Sequence, residues 1–202
     1  MEDGLARQKY GHARFSLFTG HDTGKGEVIG KIGLPLDTFG YEVGLADGLQ
    51  TELDLTVLGL YNSAEFGGRK RLFTFGPSKL AFQASVGTDF ALESERDFVP
   101  VLASLHGSGS LLWSRRQREV TTFVQVGGFS ARVFEEVDAF PDLQLGQAHG
   151  ISASTGAELQ ITPNVVLGAR LSATATFQTD GLLQVGTLGP LLVVPQIGLG
   201  LR

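Results

Sequence analysis

The stretch that decides the fold runs from residue 149 to residue 177 and reads HGISASTGAELQITPNVVLGARLSATATF. Apolar and small polar residues alternate along it with a period of two, which is typical of strands with two unlike faces. The alternation is interrupted by Thr162-Pro163-Asn164 and resumes with the apolar set on the same side. Asn164 tolerates the left-handed conformation that a short loop needs. The pattern therefore predicts a β-hairpin.

The same alternation recurs along the chain, and almost no helical periodicity is found. A second clear example is 49–61, where Leu53 and Leu55 alternate with Glu52 and Asp54. We predict an all-β, antiparallel, up-and-down barrel of about ten strands, and the pattern leaves eight or twelve open. The predicted strands are 10–20, 34–46, 49–61, 64–75, 79–91, 98–113, 118–133, 148–161, 165–178 and 182–202.

The lengths of the connections predict which ends of the strands lie together. With ten strands, the short turns Ala46-Asp47-Gly48, Gly76-Pro77-Ser78 and Thr162-Pro163-Asn164 lie at one end of the barrel. The longer loops, which we expect at 20–33, 91–97, 134–147 and 178–190, then lie at the other end. This asymmetry is typical of barrels that span a membrane.

Strand length and the character of the polar face indicate which way the apolar set points. Several predicted strands run for about 12 residues or more, which is enough to cross hydrocarbon at a tilt. The polar face consists mainly of small residues and glutamine with isolated charges, rather than of the Lys and Glu that solvent selects. We therefore expect the apolar set to point outward to lipid. The alternative is a soluble lipocalin-like or avidin-like barrel with its apolar set inward.

Composition limits the remaining classes of protein. The 202 residues suit a single domain, 1–202, and the absence of cysteine excludes disulfides and thiolate metal sites. A net charge of −5 offers no basic surface for nucleic acid, and no apolar run is long enough for a transmembrane helix. The first residues do not form a signal peptide, so we expect that one has been removed from an exported protein.

Two segments resemble the small outer-membrane β-barrels of Gram-negative bacteria. They are GYEVGLADGL at 40–49 and VPQIGLGLR at 194–202, and the alternating pattern extends the resemblance over nearly the whole chain. Arg202 departs from that class, whose last strand usually ends on an aromatic residue. The resemblance implies a location in the bacterial outer membrane, with the lipid bilayer as the first partner.

Charged residues on the polar face form a candidate site inside the barrel. A two-residue turn at Asn62-Ser63 would place Asp54 opposite Arg71, with Glu52 and Arg69 nearby. This network is interpreted as structural, since buried ion pairs satisfy interior charges and fix register, or alternatively as the constriction of a pore. The six candidate residues are Glu52, Asp54, Arg69, Arg71, Glu158 and Arg170, of which the last two lie diagonally across the later hairpin.

No pattern for catalysis, metal binding or cofactor binding emerges. His106 shares a face with Ser104 and Ser108, but this follows from strand alternation, and no nucleophile elbow accompanies it. The remaining histidines lack the spacing of metal ligands. We therefore predict a protein that is not an enzyme and that needs no cofactor or metal.

The functional hypothesis is an envelope anchor or docking protein whose longer loops bind an envelope partner. The candidate loop, 134–147, contains both acidic and aromatic residues. If replacing this loop with Gly and Ser left every envelope partner unchanged, the docking role would be contradicted. The alternative is a narrow channel for small solutes, for which ten strands leave little room. The loop residues singled out are Phe134, Glu135, Glu136, Asp138, Phe140 and Asp142.

Overall fold

The computed structural model describes residues 28–34, 37–58, 61–93, 99–133, 147–162, 164–179 and 191–201. These residues form ten β-strands. The strands are β1 (Val28–Leu34), β2 (Asp37–Ala46), β3 (Leu49–Leu58), β4 (Tyr61–Phe75), β5 (Ser78–Glu93), β6 (Val99–Gln117), β7 (Val120–Val133), β8 (Gln147–Thr162), β9 (Val165–Thr179) and β10 (Leu191–Leu201).

Each strand pairs antiparallel with the next along the chain, as expected of an up-and-down sheet. β1 also pairs with β10, from Gly30 opposite Leu201 to Leu34 opposite Ile197, so the strand order returns to its start. The predicted all-β, antiparallel, up-and-down architecture is therefore confirmed. In the described part of the chain, no helix has the length and apolar character that crossing a membrane requires.

Nine of the ten predicted strands correspond to β2–β10. The other, 10–20, lies outside the described residues. The prediction of a loop over 20–33 was wrong in part, because 28–34 forms β1 between β2 and β10. The segment contains glycines at 26, 30 and 33, and pairing on both sides supplies the backbone partners of β1.

Four two-residue connections lie at one end of the sheet, which we call the turn end. They are 47–48, 76–77, 118–119 and 163–164, and they include the three short turns expected to lie together. The remaining turn, between β6 and β7, was predicted at 114–117 and lies instead at 118–119. The strand β6 continues to Gln117, so Arg115 and Arg116 lie within it. The opposite end, the loop end, holds the connections 35–36, 59–60, 94–98, 134–146 and 180–190.

Burial follows the period of the sequence and separates two faces. On the outer face, Leu53, Leu159 and Leu171 each expose between 44% and 50% of their surface. On the inner face, Gln50 and Ser154 are buried. The sequence prediction that apolar side chains point outward and polar ones inward is confirmed for these positions.

The inner face also carries a small apolar cluster toward the turn end. Leu112 of β6, Phe123 of β7 and Val166 of β9 are almost fully buried and form one cluster. All three lie within about six residues of a turn, so they place apolar side chains from three strands at one level of the inner face.

Candidate functional site

A network of hydrogen-bonded side chains crosses the inner face from β3 to β9. At its centre, Gln125 of β7 donates from Nε2 to Ser110 Oγ over 2.7 Å and to Gln83 Oε1 over 3.4 Å. Its Oε1 accepts from Ser154 Oγ over 3.3 Å and from Arg170 Nη2 over 3.2 Å. Gln125 therefore joins β5, β6, β8 and β9 through one amide group.

Gln83 extends the network to the acidic side of the sheet. Its Nε2 donates to Glu52 Oε1 in β3, and the other carboxylate oxygen of Glu52 lies 3.9 Å from Arg69 Nη2 in β4. Both members of that ion pair are buried. Two of the predicted site residues, Glu52 and Arg69, are thus brought together as expected.

A second polar contact lies next to this network. Gln50 Nε2 of β3 donates to Glu42 Oε1 of β2 over 2.6 Å, and both side chains are fully buried. Because a buried carboxylate is costly without partners, this hydrogen bond to Oε1 offsets part of its loss of water.

The predicted partnership of Asp54 with Arg71 was wrong. Asn62 and Ser63 pair with β3 instead of forming the turn, and the register places Asp54 opposite Glu65. Arg71 lies instead at the turn end, where its Nη2 donates to Asp47 Oδ2 over 2.6 Å. Asn62 and Ser63 resemble turn residues, but the fold places them within β4.

The later pair of charges keeps its predicted diagonal position. Glu158 lies opposite Gly168 and Arg170 opposite Gly156, so the two charged residues occupy inner-face positions two residues apart in register. Arg170 hydrogen-bonds to Gln125 across the interior, and Glu158 is buried.

Large inner-face side chains lie over glycines of the neighbouring strand. Phe123 pairs directly with Gly156 and Phe129 with Gly150, and a Cβ at either glycine would lie too close to the phenyl ring. Two further pairs follow the same rule, namely His106 with Gly87 and Glu52 with Gly67. The missing side chain makes room for its large neighbour in a narrow interior.

The positions of the side chains around His106 follow from the pairing of β5 with β6. Ser85 and Ser108 share a hydrogen bond of 2.6 Å across β5 and β6, while His106 is half-buried over Gly87. Within the described ranges, no group of three or more histidine or acidic side chains is placed to hold a metal ion.

Sequence reasoning did not single out the residues that link the network. Neither Gln83 nor Gln125 was among the candidate site residues, and Gln125 lies in a segment whose alternation is weaker. A signal was available in the glutamines at inner-face positions, since a long amide side chain both donates and accepts. The candidate partner-binding loop 134–147 lies outside the described residues except for Gln147.

The geometry supports a structural element more than a reactive one. Gln83, Gln125 and Arg170 each donate a hydrogen bond to another protein side chain, and these bonds link β3 to β9 across the inner face. Comparison with known proteins assigns no family, because no family model and no curated protein matches the chain.

Proposed function

We propose that the chain is a β-barrel spanning the bacterial outer membrane, with an interior closed by side chains, and that it serves as a non-enzymatic anchor. One observation carries this proposal. The large apolar side chains are exposed on the outer face, while Glu42, Glu52, Asp54, Arg69 and Glu158 are buried on the inner face. This arrangement is the reverse of that in soluble proteins, where charges are rarely buried and large apolar patches are rarely exposed.

Strand length and pairing agree with this function. A tilted strand needs about 9–11 residues to cross a bilayer, and β4 to β9 contain between 14 and 19 residues. Closure of the sheet around its interior would satisfy the backbone of every strand, as hydrocarbon demands. In this proposal the connections at the loop end dock an envelope partner.

The test places one arginine at two depths on the same face of the same strand. Val126 lies in the middle of β7 and Val120 at its turn end, and both are exposed on the outer face. In a bilayer, Val126→Arg is expected to lower the free energy of unfolding by about 2–4 kcal/mol and Val120→Arg by about 0–1 kcal/mol. The measurement is urea unfolding of the chain folded into phospholipid vesicles.

The soluble alternative makes a different prediction for the same pair of variants. On a solvent-exposed surface, both substitutions change stability by about 0.5 kcal/mol or less. Equal, small effects, together with a chain that stays monodisperse without detergent, would contradict the membrane-spanning proposal.

A further inference from the structure

Two arginines at the turn end of β6 and β7 are exposed and have no side-chain partner among the described residues. Arg115 lies on the outer face, two residues before the end of β6, and Arg118 is the first residue of the turn that follows. Neighbouring arginines are engaged, since Arg71 binds Asp47 and Arg116 Nη2 donates to Gln160 Oε1 over 2.9 Å. Residues 115–119 contain three arginines and one glutamate, so their net charge is +2.

The strand register places these cations just beyond a row of apolar side chains, of which Phe73 and Trp113 are exposed. Phe73, Leu80 and Trp113 lie side by side across β4, β5 and β6. One row nearer to the turn end, Arg115 lies beside Ser78, which pairs with Phe75. Aromatic residues followed by cations match the order in which a membrane presents its hydrocarbon edge and its phosphates.

The turn that presents the two arginines is held by contacts on both sides. Arg116 N donates to the Pro77 carbonyl over 3.1 Å, and Gln160 N donates to the Glu119 carbonyl over 2.9 Å. Arg116 Nε also donates to the carbonyl of Arg118 over 3.0 Å. A turn held in this way loses little conformational entropy when it binds a ligand.

We propose that Arg115 and Arg118 bind the phosphate groups of anionic phospholipids at the turn end of the barrel. This inference rests on the proposed membrane-spanning function and adds the class of lipid that this rim recruits. Each guanidinium presents a planar fork of donors that matches phosphate oxygens. Each basic residue near an anionic surface is expected to enrich the lipid about fivefold at low ionic strength.

The chain contains a single tryptophan, Trp113, two residues before Arg115, so its fluorescence reports on lipids at this rim. The full chain is folded into phosphatidylcholine vesicles that contain one-tenth phosphatidylglycerol, with bromine on the acyl chains of one lipid at a time. Brominated phosphatidylglycerol is expected to quench Trp113 severalfold more than its mole fraction predicts. The double variant Arg115→Gln, Arg118→Asn is expected to reduce quenching to the level of random mixing.

Arg132→Gln is the matched control, because Arg132 is exposed on β7 toward the loop end, away from Trp113. This variant is expected to keep the excess quenching of the unmodified chain. Quenching in proportion to mole fraction in the unmodified chain, or an excess that survives in the double variant, would overturn the inference alone. If neither brominated lipid quenches Trp113, the membrane-spanning function fails and this inference fails with it.

Discussion

At the scale of single residues, Arg118 combines an unfavourable backbone with an exposed charge. Its φ of 54° is positive, and no other non-glycine residue in the described ranges shares this feature. A side chain in this conformation costs about 1 kcal/mol relative to glycine. The proposed lipid contact gives the arginine a role at a position that folding alone would assign to glycine.

We therefore expect Arg118→Gly to raise the free energy of unfolding by about 0.5–1 kcal/mol while lowering the lipid enrichment around Trp113. Gly76 provides the reciprocal control, because it has the same φ of 54° and an added Cβ there meets nothing within 4 Å. Gly76→Ala is expected to destabilise by a similar amount. Urea unfolding in vesicles measures both, and a destabilised Arg118→Gly variant would contradict the backbone argument.

At the scale of strands, pairing a large side chain with a glycine fixes how neighbouring strands pack. A Cβ at Gly156 would lie 2.5 Å from Phe123 Cζ and closer still to the carbonyl of Ala169, so either the ring or the backbone must move. We expect Gly156→Ala to destabilise the fold by about 1–3 kcal/mol through overpacking.

Gly109 on the outer face is the matched control for Gly156. An added Cβ there would lie 3.7 Å from the ring of Phe82, which is ordinary contact, so Gly109→Ala is expected to be neutral or slightly stabilising. Denaturant unfolding of both variants under one condition measures the difference. Equal effects would mean that the ring over Gly156 does not limit the packing of β7 against β8.

The same strands show what the sequence could predict and what it could not. Alternation reports which face a residue occupies, so the buried Glu52 and the exposed Leu53 were both assigned correctly. Register depends on where the turn lies, and the polar residues Asn62 and Ser63 competed with the true connection at 59–60. A register shift between Arg71 and Phe73 also breaks the period in β4, so alternation alone does not assign the faces across this point.

At the scale of the whole molecule, the proposed anchor differs from a channel in having an interior closed by side chains. Hydrogen bonds from Gln125 reach four other strands, and the nearby cluster of Leu112, Phe123 and Val166 occupies the level closer to the turn end. These contacts were beyond sequence reasoning, because they join side chains far apart in sequence whose pairing requires the complete register. In the proposed barrel, these two layers of side chains would leave little space for a hydrated path.

We therefore expect the full chain to show no discrete conductance steps in planar bilayers over many insertions. Quenching of Trp113 by brominated lipid shows separately that the chain has inserted. The triple variant Phe123→Ala, Gln125→Ala, Arg170→Ala removes one side chain of the apolar cluster and the centre of the polar network. If these side chains are what closes the interior, the variant should gain measurable steps while remaining folded, because small lumen residues leave room for water. Regular steps from the unmodified chain would instead establish the channel and contradict the closed interior.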